Sequence, residues 1–353
     1  MAATQPGATA MCWGCGLEVA LPGPTATFKC GWCGAITLER QQPRSDPRCV
    51  KWFWLRDLAT SSALVLLILL IIGGGVAAIF PVVFPSFSTP TFYLHSAIVC
   101  LVTFNIFFNF WAAAKGSPGT VPPLPFGSAS LAPQGALDDC TFCVQCEQPK
   151  PSRAHHCRAC RACVMGMDHH CPFIANCVGA DNQRAFMLLL LYAILGCTYA
   201  MCMGTWALYK LLPELTAVSR AGRELWSGFP DKIPTIRDVL GLLLLVRVRV
   251  SVRLVASFYL TFMSFGVVIG AGFLLKQQLE GIFLGETAID VMRRVPVVVT
   301  GDIVPGRVVE STWAGRLRKL DRVLGKGRGG RWWHWLLPRW PRTGQFSEHK
   351  KAG

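Results

Sequence analysis

Between Cys143 and Cys177 the chain places seven cysteines and four histidines within thirty-five residues. They fall as Cys143-x2-Cys146, then His155-His156-Cys157-x2-Cys160-x2-Cys163, then Asp168-His169-His170-Cys171-Pro172 and Asn176-Cys177. A C-x2-C knuckle presents two thiolates to one ion from a tight turn, and zinc takes four such N/S ligands in a tetrahedron. Two knuckles, Cys143/Cys146 and Cys157/Cys160, therefore predict two ions. Two sites of three cysteines and one histidine each use six cysteines and two histidines, which leaves one cysteine and two histidines of this set over. A spare cysteine beside Asp and His has the composition of an activated nucleophile.

Together with Lys150-Pro151-x-Arg153 and the trailing Asn176-Cys177-Val178-Gly179-x2-Asn182, the segment resembles the cysteine-rich domain of the DHHC-type protein S-acyltransferases (palmitoyltransferases). The resemblance implies one zinc held by Cys143, Cys146, His156 and Cys163, and another held by Cys157, Cys160, His170 and Cys177. It implies Cys171 as the acyl-accepting nucleophile, His169 as its base and Asp168 as the carboxylate that orients the base, the division of labour of other nucleophile triads. The implied reaction takes a long fatty acyl group, palmitoyl or similar, from acyl-CoA onto Cys171 and then onto a cysteine of a protein substrate. Phe173 stands where the family usually carries Trp, which keeps an aromatic ring and loses an N–H donor. A catalytically silent, zinc-stabilised membrane adaptor is the competing reading, in which Cys171 is one more structural cysteine.

A second metal signature precedes this one. Cys12-x2-Cys15 and Cys30-x2-Cys33 are joined through Pro22-Gly23-Pro24, a zinc-ribbon arrangement, with Gly16 and Gly34 placed to adopt the positive φ such knuckles need. The spacing resembles the small finger of plant lesion-simulating-disease proteins. All four cysteines are used as ligands of one zinc, so a role in protein contact or regulation is expected rather than chemistry.

The elements that must carry these sites are read from hydropathy. With 52% hydrophobic and 16% charged residues, the chain is too apolar for one ordinary soluble domain. Leu58–Phe80, Phe92–Ala114, Ala185–Tyr209 and Leu254–Leu275 are each without a charged residue. About 20 such residues cross a bilayer, so four transmembrane helices are expected. Lys51, Trp52, Phe53, Trp54 and Arg56 precede the first span as interfacial anchors, and Pro81, Pro85 and Pro90 are expected to break it from the second. The opening residues lack the basic and apolar regions of a cleavable signal, so the first span is expected to do the targeting.

The domain plan is then 1–57 with the ribbon at 12–33, 58–114 with two spans, 115–184 with the linker and cysteine-rich domain, 185–275 with two more spans, and a basic Trp-rich tail at 276–353. Thiolate ligands need a reducing compartment, which puts the zinc regions and both termini on the cytosolic side. Fifteen Lys/Arg follow residue 275, in keeping with that side, although the eight between the third and fourth spans run against the positive-inside rule. The membrane is expected to be an endomembrane (Golgi or ER) or the plasma membrane.

Three weaker features complete the reading. Ser117-Pro118-Gly119 stands where the family has Asp-Pro-Gly, and Thr287-Ala288-Ile289-Asp290 where it has Thr-Thr-x-Glu. In the third span Ala193, Gly196, Cys197, Ala200 and Gly204 share one small face, with Phe186 at its mouth; this face is the expected acyl-chain site, with Gly196 as its floor. The net charge of +15 and the tryptophans among the Arg/Lys of the tail point to anionic membrane lipid rather than nucleic acid as the polyanion. Substrates are expected to be cytosolic-face proteins with membrane-proximal cysteines. A metal transporter is disfavoured, because the Cys/His sets lie outside the spans and only His95 lies within one.

Overall fold

The computed structural model describes residues 9–20, 27–38, 47–122, 140–151, 153–213, 252–285, 287–289, 313–324 and 335–340, with isolated positions between 216 and 240. Most of the Gly/Pro/Ser-rich connector, the arginines at 247 and 249, Asp290, Trp332 and Trp333 lie outside the described residues.

Among the described residues, four helices are long and apolar enough to cross a membrane, spanning Val50–Ser86, Thr89–Lys115, Gln183–Lys210 and Val252–Leu284. The first, α1 (Pro47–Gly74), runs on through a π turn (Gly75–Ile79), an α turn (Phe80–Val83) and a 3-10 turn (Phe84–Ser86). Pro81 therefore does not end it. The π turn shifts the hydrogen-bond ladder by one residue, and Pro81, with no N–H to offer, sits in the first turn beyond it. The chain leaves helical geometry only at Phe87, where ψ is 148°. Helices α2 (Thr89–Lys115) and α3 (Gln183–Lys210) start two or three residues before, and end one residue after, the uncharged spans read from the sequence. Helix α4 (Val252–Leu284) continues well past Leu275, because Lys276, Gln277, Gln278 and Glu280 are good helix formers that propagate it beyond the apolar stretch.

The described chain forms two compact units. One, Ala63–Asn109 with Met187–Gln278, is helical. Its core packs Ile79, Val83 and Phe84 of the first helical span against Met203 and Ala207 of α3 and Leu260 of α4. Close approach depends on small residues there: a Cβ on Gly74 would stand 3.2 Å from Leu260, and one on Gly204 would collide with the Thr261 hydroxyl. His95 is satisfied inside this unit, its Nδ1 lying 2.9 Å from the Tyr199 hydroxyl and its ring stacked on Phe87. Leu66, Leu69, Phe104, Phe262 and Phe265 are exposed, as helices facing hydrocarbon require.

The other unit, Met1–Ser62 with Phe110–Phe186 and Leu279–Gly353, is built from short antiparallel hairpins. In chain order these are β1 (Thr9–Met11) with β2 (Glu18–Ala20), β3 (Thr27–Lys29) with β4 (Ile36–Leu38), β5 (Thr141–Cys143) with β6 (Gln148–Lys150), β7 (Ala154–Cys157) with β8 (Ala162–Met165), and β9 (His169–Cys171) with β10 (Asn176–Val178). Strand β4 also pairs with β5 in parallel, Ile36 opposite Thr141, so the second N-terminal hairpin and the first hairpin of the cysteine-rich region make one four-stranded sheet. The Ile36 amide donates to Cys140 O at 2.6 Å, the Trp13 indole donates to Ile36 O at 3.1 Å, and its ring lies 5.2 Å from that of Phe142. The ribbon is thus joined to the cysteine-rich region by backbone and by aromatic packing. A further described helix, α5 (Trp313–Leu324), belongs to this unit.

Candidate metal centres and reactive strand

Each knuckle is a hairpin turn whose residue after the second cysteine takes a left-handed conformation. Gly16 and Gly34 do so at φ 72° and 77°, as their residue type anticipates. Glu147 and Arg161 occupy the same place at φ 49° and 54° without being glycine, so the same turn is made against side-chain strain.

Three groups of four donors result: Cys12, Cys15, Cys30 and Cys33; Cys143, Cys146, His156 and Cys163; Cys157, Cys160, His170 and Cys177. Within each, the four ligand atoms lie inside 4.8 Å of one another. A zinc tetrahedron with Zn–S of about 2.3 Å and Zn–N of about 2.0–2.1 Å has edges of about 3.8 Å between sulfurs and about 3.6 Å between sulfur and nitrogen. The separations match. Cys12–Cys33 and Cys15–Cys30 are 3.6 and 3.7 Å, and Cys146–Cys163 and Cys160–Cys177 are 3.8 and 3.5 Å. His156 Nδ1 lies 3.5 and 3.2 Å from Cys143 and Cys146, and His170 Nδ1 lies 3.5, 3.4 and 3.7 Å from Cys157, Cys160 and Cys177. The donor sets fit zinc in all three places, and the pairing of ligands is the one the sequence resemblance implies.

Strand geometry sorts the Asp-His-His-Cys residues. Side chains alternate along β9, so His169 and Cys171 point to one face and His170 to the other. On β10, Cys177 stands directly opposite His170, so both metal ligands share a face. The reactive candidates are thereby held on the face away from the metal-type donors, on a strand whose other face carries one of them.

On the reactive face, His169 Nδ1 lies 2.8 Å from Asp168 Oδ2, and Cys171 follows two residues on along the same strand face. Burial lowers the pKa of His169, but the hydrogen bonds and charges of Asp168 and Cys171 together outweigh it and hold the imidazole up at about 9. Cys171 is 7% exposed and Asp168 8%. Phe186, on the first turn of α3, is buried and meets the His169 ring edge-on at 5.5 Å between centroids. The other carboxylate oxygen of Asp168 accepts the Ala288 amide at 2.7 Å. Neighbouring Ile289 packs on the cluster of Cys157, Val164, Met167 and Cys177.

Helix termini frame the unit. The last carbonyls of α2 lack intrahelical donors, and Asn176 and Asn182 supply them. Asn176 Nδ2 donates to Ala113, Ala114 and Gly116 carbonyls at 3.0, 3.2 and 3.0 Å, and Asn182 Nδ2 to Ala113 O at 3.0 Å and Cys177 O at 2.8 Å. Gly179 must be glycine, since a Cβ there would collide with Pro118 O and stand 2.6 Å from Val164. The Ser117-Pro118-Gly119 turn closes through Ser117 Oγ, which accepts the Gly119 amide at 3.1 Å. At the end of α4, the Arg153 guanidinium donates to Gly285 O and Lys319 Nζ to Phe283 O. Arg184 grips the tail, donating to Leu324 and Leu337 carbonyls at 2.7 Å each and to Trp335 O at 3.1 Å.

Two contributors were not singled out in the sequence, and a third was singled out only as part of a run. Asp57 Oδ2 lies 2.8 Å from His170 Nε2, and Thr60 Oγ1 lies 2.8 Å from Pro172 O. Both sit in α1, just where an apolar run begins, and read there as ordinary interfacial residues. The third is the Ala288 amide, inside the Thr287–Asp290 run noted in the sequence, a backbone group whose contact with Asp168 no side-chain pattern reports. Gly196, in the helical unit, faces α2: a Cβ on it would lie 3.0 Å from Val102 Cγ1 and 3.3 Å from Ile106 Cδ1.

Fold and site together define a protein of four candidate membrane-spanning helices, with two zinc sites of three cysteines and one histidine around an Asp-His-His-Cys strand and a further four-cysteine cluster near the N-terminus. Residues 137–295 match the family model for DHHC palmitoyltransferases. The chain is 51% identical over 61 residues to a Xenopus laevis protein named palmitoyltransferase ZDHHC15, covering 17% of this chain and 18% of the relative. It is 57% identical over 56 residues to palmitoyltransferase pfa3 of Emericella nidulans, covering 16% and 11%. It is 35% identical over 118 residues to an Arabidopsis thaliana protein named probable protein S-acyltransferase 12, covering 28% and 40%. The similarity thus spans well under two thirds of each relative's own length.

Proposed function

We propose that this protein is a protein S-acyltransferase that moves a long-chain fatty acyl group, palmitoyl or similar, from acyl-CoA through Cys171 to cysteines of protein substrates. The observation that carries the reading is the 2.8 Å hydrogen bond between His169 and Asp168, with Cys171 on the same face of β9 as His169 and His170 on the opposite face. Zinc, where bound, supplies a fixed backbone at this strand.

His169 takes the Cys171 thiol proton, and the thiolate attacks the thioester carbonyl of acyl-CoA. The C–S bond to CoA breaks, and the leaving CoA thiolate takes the proton from His169. In the second half, His169 takes a proton from the substrate cysteine, whose thiolate attacks the acyl-Cys171 carbonyl, and the proton returns to Cys171 as it leaves. One thioester replaces another at each stage, so the protein's task is positioning and thiolate activation. Asp168 keeps the His169 Nδ1 proton in place, which leaves Nε2 to exchange protons with sulfur.

The acyl chain is proposed to lie along the small face of α3 from Phe186, with Gly196 as its floor. The topology has both termini and the zinc regions on the cytosolic face of an endomembrane (Golgi or ER) or the plasma membrane. Support comes from the termini of the helices that belong to the zinc-bearing unit: the start of α1, the end of α2, the start of α3 and the end of α4, which share one side if each helix crosses once. Membrane-proximal cysteines of cytosolic-face proteins are then the accessible acceptors, and the basic tail meets anionic lipid.

Purified protein incubated with palmitoyl-CoA should carry an acyl adduct released by hydroxylamine, and Cys171→Ser should carry none while keeping all three zinc ions. Zinc loss in that variant, or an adduct that persists, would leave the zinc-stabilised adaptor as the better reading.

A further inference from the structure

Both chain neighbours of Cys171 are held by one turn of α1. On one side, His170 Nε2 donates to Asp57 Oδ2 at 2.8 Å, while His170 Nδ1 faces the three sulfurs of its metal site. On the other, the Thr60 hydroxyl donates to Pro172 O at 2.8 Å, a shorter contact than its alternatives to Arg56 O at 2.9 Å and Asp57 O at 3.3 Å. Asp57 and Thr60 are three residues apart and so share a helix face. Asp57 is itself oriented, its Oδ1 accepting Arg56 Nε and Nη2 at 2.9 and 2.7 Å. It is 8% exposed, and a carboxylate so buried is costly unless fully hydrogen-bonded, as this one is.

We infer that Asp57 and Thr60 are positioning residues for Cys171: Asp57 orients and tightens the second zinc site through His170, and Thr60 sets the backbone on the far side of the nucleophile. A carboxylate on the remote nitrogen of a ligating histidine fixes the tautomer that leaves Nδ1 for the metal and raises ligand basicity, an effect worth about 10–100-fold in metal affinity. Because His170 is bonded directly to Cys171 and Pro172 follows it, a shift of either neighbour moves the sulfur relative to His169. Misplacement of a reacting atom by about 1 Å costs on the order of 10²-fold in rate. The two contacts therefore divide the work. Asp57 acts through the metal site, and Thr60 acts through the backbone without touching a ligand.

This inference rests on the acyltransferase reading for its rate arm, and the zinc arm keeps the two separable. Full-length protein in detergent or nanodiscs is challenged with a colorimetric chelator, and zinc release is followed ion by ion beside single-turnover acylation of Cys171. Asp57→Asn, nearly isosteric, should release one of the three ions about 10–100-fold faster than wild type, with the other two unchanged, and should acylate at least tenfold more slowly. Thr60→Val should release zinc as wild type does yet acylate about tenfold more slowly at an unchanged half-saturating acyl-CoA concentration, and Thr60→Ser should recover the rate. Wild-type zinc release in Asp57→Asn, or wild-type acylation in Thr60→Val, overturns the assignment of the residue concerned. Should wild type itself form no adduct, the acyltransferase reading fails while the zinc release of Asp57→Asn still decides the role of Asp57.

Discussion

The Ala288 amide donates to Asp168 Oδ1 at 2.7 Å across 120 residues of sequence, while Asp168 Oδ2 lies 2.8 Å from His169 Nδ1. Each oxygen of this carboxylate therefore meets a different N–H donor. An amide side chain has one acceptor oxygen and one NH2 group, so Asn at 168 would present a donor to one of those two donors. Asp168→Asn is expected to slow Cys171 acylation by about 10²-fold or more with zinc retained, in the range for disabling a general base. Ala288→Pro, which removes the amide proton and puts the ring in its place, should slow it in the same direction. Zinc assay and single-turnover acylation on both variants check this, and zinc loss in Asp168→Asn would make the carboxylate structural.

Gly179 closes the turn between β10 and α3 against Pro118 O and Val164. A methyl group has nowhere to go there, because two of the three nearest atoms, Pro118 O and Met165 O, belong to backbone. Gly179→Ala should lower the stability of the zinc-bearing unit by about 1–3 kcal/mol, the usual cost of overpacking. Thermal unfolding with zinc in excess reads this out. A melting temperature equal to wild type would mean the Ser117–Gly119 turn can move aside.

The ribbon shares a sheet with the first hairpin of the cysteine-rich region, and Trp13 makes both a hydrogen bond and a ring contact across that seam. Trp13→Ala should cost about 1–3 kcal/mol, summing a hydrogen bond and an aromatic pair. It should also speed chelator removal of zinc from the Cys143, Cys146, His156 and Cys163 site. Unchanged release from that site would show that the ribbon folds beside it without supporting it.

For the proposed acyl-chain site, Gly196→Phe should shift preference toward shorter acyl-CoAs in competition among fourteen-, sixteen- and eighteen-carbon chains. Each terminal methylene displaced forfeits about 0.8 kcal/mol of burial. The added ring also meets Val102 and Ile106, whose side chains already lie 3.0 and 3.3 Å from a Cβ at this position. A folded, active variant with an unchanged chain-length profile would mean that the glycine serves only the packing of α3 on α2.

Metal ligation was legible because it is local chemistry: a C-x2-C knuckle brings its two sulfurs together through its own turn, whatever the rest of the chain does. Leu58–Phe80 and its three companions were legible for a similar reason, since an uninterrupted apolar run has few other places to go. The helix through Pro81 was not, because a π turn that absorbs the missing N–H depends on how Ile79, Val83 and Phe84 pack against α3 and α4. By itself the sequence determined that these cysteines and histidines could bind zinc, that one cysteine would be spare and which stretches could span a bilayer, while the resemblance implied that the spare one is Cys171. Tertiary structure alone decided that Asp57 and Thr60 bracket Cys171, that the Ala288 amide holds Asp168, and that Ile36 pairs with Thr141. Those are single hydrogen bonds between groups far apart in the chain, directional and short-ranged, and no pattern of residue types encodes which donor will arrive beside which acceptor.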